Sequence, residues 1–154
     1  MVSVRNKNTV FLYRPSTNKI LWLIDGPWIS QHDCSFIDST RILVFGNDLL
    51  RLPHGDSLLY RHNNAYVFDF KTNKVSTPFT RLFETMKIQT RTEGRCDLLS
   101  NGDLFVCETN YGRIIIGDTL KPKMVYVERI DKEHIKMFNL VRYIPTIPFK
   151  NRLP

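Results

Sequence analysis

Val10-Phe11-Leu12-Tyr13 leading to Thr17-Asn18-Lys19-Ile20, and Ala65-Tyr66-Val67-Phe68 leading to Thr72-Asn73-Lys74-Val75, are one pattern written twice, each position 55 residues beyond its counterpart. Each copy is a short apolar run, rich in β-branched and aromatic side chains, closed by a Thr-Asn-Lys turn and followed by another β-former. Asn suits such a turn because its side chain bonds the local backbone and tolerates positive φ. A fainter third copy joins Ile114-Ile115-Ile116 to Lys123-Met124-Val125, about 50 residues further on. A second hairpin alternates with the first. Asp33-Cys34-Ser35-Phe36-Ile37-Asp38, a turn and Ile42-Leu43-Val44-Phe45 match Arg95-Cys96-Asp97-Leu98-Leu99-Ser100, a turn and Leu104-Phe105-Val106-Cys107, 62 residues on.

Two hairpins alternating with a period of about 50 to 60 residues are what four-stranded propeller blades with a few long loops produce. A β-sandwich also spaces short strands evenly, but nothing in it requires repeated turns. The sequence therefore predicts an all-β protein, a partial β-propeller of about three antiparallel four-stranded blades. Near 77–90 it predicts one short helix or a long loop, with Pro78 at the first helical position behind a Thr77 cap and Leu82, Phe83 and Met86 on one face. Propellers close with roughly 4–8 blades. The 154 residues are accordingly expected to form a single domain, 1–154, that is an incomplete arc. Open sheet edges on such an arc predict association with another chain or copy.

Composition narrows the function classes. Hydrophobic residues at 42% and charged residues at 24% are ordinary for a globular chain and exclude disorder. The apolar run Ile20–Ile24 stops at Asp25, far short of the ~20 residues a membrane-spanning helix needs. Arg5-Asn6-Lys7-Asn8 interrupts any secretory signal behind Met1. The net charge of +7 is scattered, with no basic run and no stripe at helical spacing, so it reads as solvated surface and no nucleic-acid partner is expected. Cys34, Cys96 and Cys107 have neither metal spacing nor an even count, and read as small apolar strand residues. His32, His54, His62 and His134 share no ligand spacing, so neither metal nor cofactor is expected. His54 and His62, in a polar loop, read as plain surface residues.

One constellation can carry chemistry. His32 and Asp33 open a hairpin whose second strand ends in Phe45-Gly46-Asn47-Asp48, with Arg51 just after, and an antiparallel return brings Asn47 and Arg51 toward the end that holds His32. An imidazole, an amide and a guanidinium suit a tetrahedral oxyanion, Arg supplying forked donors and His able to donate or accept a proton. The alternative is an ordinary satisfied turn.

The order of several motifs also resembles a known family. Trp22-Leu23-Ile24-Asp25-Gly26-Pro27-Trp28, then Gln31-His32-Asp33, then Arg41-Ile42-Leu43-Val44-Phe45-Gly46-Asn47-Asp48, is similar to bacterial arylsulfotransferases, where a Gln-His pair precedes a Phe-Asp-Asn-Gly-like turn. Leu99-Ser100-Asn101-Gly102-Asp103-Leu104-Phe105-Val106-Cys107-Glu108-Thr109-Asn110-Tyr111-Gly112-Arg113 resembles a later blade of the same proteins. The likeness runs from about Asn8 to Pro145 and corresponds to the C-terminal part of the family.

That resemblance implies a propeller that moves a sulfuryl group from an aryl sulfate to a phenolic acceptor, without a nucleotide donor, through a sulfated histidine. His32 matches the histidine of the Gln-His motif and Arg51 the arginine after the Asn turn, both as groups that hold sulfuryl oxygens. Asn47 would shape the turn between them, and Trp28 or Phe45 would stack on the aryl ring. The sulfated histidine is expected near 108–113, where Glu108, Asn110 and Arg113 stand instead, either as a polar site of their own or with Glu108 and Arg113 as a buried ion pair. The competing expectation is a propeller without the nucleophile, a binding module or a fragment. The resemblance points to export, whereas the sequence carries no signal, and the compartment stays open.

Overall fold

The repeated turns bend as their side chains require. Asn18 and Asn73 both adopt left-handed backbone, at φ 50° and 55°, and each reverses the chain into a hairpin, joining β2 (Thr9–Arg14) to β3 (Lys19–Asp25) and β8 (Asn64–Asp69) to β9 (Lys74–Ser76). In the Asp/Ser-rich turns, Asp38 accepts the Thr40 amide at 2.8 Å, and Gly102 takes φ 85°. These join β4 (Asp33–Phe36) to β5 (Arg41–Gly46) and β10 (Arg95–Leu98) to β11 (Leu104–Glu108).

The computed structural model describes residues 1–138 and 141–146, and part of the expected domain 1–154 lies outside them. Three antiparallel sheets follow one another along the chain. The first has β1 (Val2–Val4), β2 and β3. The second has the order β4-β5-β8-β9. The third has β10, β11, β12 (Arg113–Gly117) and β13 (Pro122–Val127) in sequence. A small hairpin, β6 (Leu49–Leu50) with β7 (Ser57–Leu58), interrupts the second sheet between β5 and β8. The all-β, antiparallel expectation is met, with one correction: the first sheet has three strands, β1 pairing with β2 as β5 pairs with β8.

The second sheet lies between the other two, so its strands are buried on both faces. Ile42, Val44, Tyr66 and Phe68 pack toward Val10, Trp28, Trp22 and Ile24. The alternate residues Leu43, Phe45 and Ala65 pack toward Cys96, Leu104, Val106 and Ile115. Two-sided burial explains the unbroken apolar runs at Ile42–Phe45 and Ala65–Phe68. Each large apolar side chain so buried contributes about 1.5–3 kcal/mol. The strand β10 lies against β4 and β5, and β1 against β4, so that β4 and β10 run beside each other. In β3 and β13, Leu21, Leu23, Met124 and Tyr126 are each exposed.

The segment after β9 forms α1 (Thr80–Met86), with Leu82 and Phe83 buried in the second core and Met86 packed against it. It starts later than its sequence suggests. The amide and hydroxyl of Thr80 both donate to the Thr77 carbonyl, at 3.2 and 2.9 Å. The turn thus formed uses up Thr77 and Pro78 and leaves Phe79, buried and without a side-chain cap bond, at the helix start.

Candidate functional site

Because β4 and β10 run side by side, their first residues meet at one end of the sheets. There His32, Asp33, Glu93, Gly94, Arg95, Cys107 and Thr109 line an open cleft of about 450 Å³. The Gln31-His32 pair divides the work of placing it. Gln31 is fully buried and its amide nitrogen donates to Thr9 O at 3.0 Å and Ser3 Oγ at 3.2 Å, anchoring the segment to the first sheet. The His32 amide donates to Phe45 O at 3.1 Å, which fixes its backbone while the side chain stays exposed. Opposite, Gly94 has φ 83°, and a Cβ there would stand 2.6 Å from the Phe45 ring. Glycine at 94 is therefore what lets the β10 entrance settle onto the core.

Burial pushes the Asp33 carboxyl up from its ordinary value, opposed by Arg95 and the Cys96 amide and raised further by Asp97. Arg95 forms an ion pair with Asp97 at 3.2 Å, and its Nε has no partner. Burial also raises all three thiols, Cys34 to about 11, which disfavours the thiolate of Cys107 on the cleft wall. What faces the cleft is thus an imidazole and a guanidinium that can donate to oxyanion oxygens, with the Asp33 and Glu93 carboxylates that can accept a proton from a hydroxyl.

The sequence-predicted residues separate. Arg51 lines a different hollow, with Asn8, Ile29 and Ser30, and does not share the cleft with His32. The aromatic stacking expected of Trp28 and Phe45 is not met: both are fully buried, Trp28 with its indole nitrogen on Asn8 O at 3.0 Å. Asn47 is buried and its amide donates to Thr90 O at 3.1 Å and Glu93 O at 2.9 Å, so it clamps the loop before β10 from beneath. Replacing it (Asn47→Ala) should cost about 2 kcal/mol in urea unfolding, from two lost bonds to carbonyls; an unchanged midpoint would show the clamp to be idle.

The second predicted cluster turns inward. Glu108 is fully buried, accepts the Gln89 amide at 2.6 Å and pairs with Arg113 Nε. Arg113 also donates to Met86 O and Lys87 O, at 2.9 and 3.1 Å. Asn110 Oδ1 accepts the amides of Arg91 and Thr92, at 2.8 and 3.0 Å. Glu108 and Arg113 are therefore the buried ion pair, and their polar atoms are spent on the protein. His62 is also corrected. It is 7% exposed, with Nδ1 2.6 Å from Asn63 O.

Sequence reasoning did not single out Arg95, which the structure places on the cleft wall. The signal was present: the 62-residue offset that pairs Cys34 with Cys96 pairs Asp33 with Arg95, so the two strand entrances are equivalent positions. Among the described residues, no group of three or more His, Cys, Asp and Glu is placed to hold a metal, and no helix is long and apolar enough to cross a membrane.

No curated protein and no solved structure matches the chain. A family model described as Arylsulfotransferase (ASST) does, over residues 1–129, which takes in all three sheets and every residue of the cleft. The order of motifs and the match agree, and the chain belongs to the arylsulfotransferase family.

Proposed function

We propose that the chain supplies part of an arylsulfotransferase-like site, in which a sulfuryl group passes between phenolic compounds, and that its sheets are successive blades of a propeller arc. The observation that carries this reading is the meeting of His32 and Arg95 at the equivalent ends of β4 and β10, in one cleft, in a chain of this family. Blade-like stacking supports it: three meanders packed in succession, with neighbouring strands β4 and β10 on one side. Arg95 takes the part that sequence gave to Arg51. Its fork and the His32 imidazole hold the sulfuryl oxygens as charge builds on them, much as donors do in phosphoryl transfer. Glu93, facing the same space, accepts the proton of the incoming phenol as its oxygen bonds to sulfur and the S–O bond to the donor breaks, the donor phenolate leaving to the open cleft.

The test is transfer from 4-nitrophenyl sulfate to phenol by the complete or assembled protein, since the chain supplies only part of the site. His32→Ala should lower the rate about 100-fold, with little change in stability because the side chain is exposed. Equal rates in variant and wild type, or no transfer by either, would overturn the reading.

A second reading, a non-catalytic binding module, has an observation of its own: the place near 108–113 where the resemblance expects the sulfated histidine is filled by the Glu108–Arg113 pair and the spent amide of Asn110. Mass spectrometry after incubation with the aryl sulfate separates the two, since a sulfated histidine would remove the second.

A further inference from the structure

At the same end of the molecule as the cleft, arginines from neighbouring loops gather around a second hollow. Arg61 and Arg91 line a polar hollow of about 280 Å³ together with Ser57, Gln89, Tyr111 and a single carboxylate, Asp56. Arg5, from the turn between β1 and β2, reaches across to the Arg91 carbonyl at 3.0 Å. It lies close enough to Arg51 and Asp56 that both act on its charge. Burial and the like charge of Arg51 make it less basic, and Asp56 opposes them.

Among the described residues, neither Arg61 nor Arg91, which line the hollow, nor Arg5 beside them is ion-paired, as is also true of Arg14, Arg81 and Arg129 elsewhere on the surface. The Nε of Arg5 is buried without any hydrogen-bond acceptor. Two guanidinium groups line the hollow against one carboxylate, with Arg5 bonded to the backbone of the same loop, which leaves an excess of positive charge at a concave polar surface. The group that satisfies it is an oxyanion, which guanidinium forks bind in two-pronged fashion.

We propose that this hollow is an oxyanion subsite that takes a second sulfate group on the substrate whose reacting sulfate occupies the His32–Arg95 cleft. The assignment of substrate rests on the transfer function proposed above. The two sites share one loop: Gln89 and Arg91 face the hollow, Glu93 and Gly94 the cleft. Arg91 and Glu93 are two residues apart, so their Cα atoms lie within about 7 Å. The neutral substituents of a phenol gain nothing in the hollow, while a doubly sulfated ring uses both sites.

Calorimetric binding tests it without turnover, with 4-nitrophenyl sulfate, hydroquinone bis-sulfate and inorganic sulfate as probes. The wild-type chain should bind the bis-sulfate at least about ten-fold more tightly than the mono-sulfate, about 1.4 kcal/mol. The Arg61→Gln/Arg91→Gln variant, which changes side chains that hold no ion pair, should reduce that preference below about two-fold and leave mono-sulfate affinity unchanged. Equal wild-type affinity for the two esters overturns the proposal, and this arm needs no variant to fold. So does a preference that survives in the folded variant. Inorganic sulfate binding as tightly as the bis-sulfate overturns the assignment to a substrate group. His32→Ala should keep the preference while losing transfer. A complete or assembled wild-type protein that shows the preference but no transfer therefore refutes the function and leaves the subsite, and transfer without preference does the reverse.

Discussion

Arg113→Ala should lower the stability of the chain by about 3–5 kcal/mol, the cost of leaving a buried carboxylate without its cation. Glu108 is fully buried at the end of β11, and after the change only the Gln89 amide would remain to it. The loss is larger than one ion pair because Arg113 also holds Met86 O and Lys87 O, the free carbonyls at the C-terminal end of α1. A cation there offsets the negative end of the helix dipole. The double variant Glu108→Gln/Arg113→Ala should recover part of the loss, since an amide keeps the Gln89 bond and carries no charge to be desolvated. A urea double-mutant cycle reads the coupling. If the double variant falls as far as the sum of the single changes, the pair is not coupled and the penalty lies in the helix contacts alone.

That pair also marks where the sequence was legible and where it was not. Alternating hairpins at fixed offsets located the strands, because turn residues such as Asn18 and Asn73 are chosen by local backbone geometry. The unbroken runs in β5 and β8 fit the burial on both faces that the structure shows. The start of α1 was displaced because a hydroxyl-to-carbonyl bond across Thr77–Thr80 is one of several local options for such a segment. In the candidate site, His32 was singled out because it opens a hairpin with Asp33 and stands in a Gln-His pair, and the structure puts it on the cleft wall. Arg95 required transferring the 62-residue offset from apolar positions to polar ones. Arg51 was misplaced because the β6–β7 hairpin intervenes directly after β5 and carries the chain away from the cleft. Trp28 and Phe45 were misjudged because aromatic residues next to a site pack a core more often than they face a ligand.

Stability should fall as pH rises from about 4 to 6, and Asp48→Asn should abolish most of that fall. Asp48 is fully buried between the loop at 28–30 and β8, accepting the Ile29 amide at 3.1 Å and the Tyr66 hydroxyl at 2.9 Å. Burial pushes its carboxyl up to about 6, against the restraining influence of those two donors and of His62. Since the unfolded chain titrates the same group near the ordinary 3.8, the native state binds more protons over that interval. Stability then declines with pH and levels off above the native value. A shift of about two units corresponds to about 3 kcal/mol. The carboxylates Asp38, Asp69, Asp118 and Asp131, none of them buried, act oppositely. Each is held below its ordinary value by backbone amides, so what they contribute is present above the unfolded value and lost as pH falls through their native ones. They therefore shape the acid limb, below the window in which Asp48 titrates. Asn fits position 48 because φ is 50° there, a conformation Asn tolerates well, and its carbonyl keeps the Ile29 bond while its NH2 donates to the Tyr66 oxygen. Urea midpoints at pH 4.5, 5.5, 6.5 and 7.5 should show the variant gaining on the wild type with every step up to about 6. Tyr66→Phe should work the other way, steepening the decline by removing a donor that supports the carboxylate. If the wild-type slope persists in Asp48→Asn, the decline belongs to another group and Asp48 is ionised at little cost.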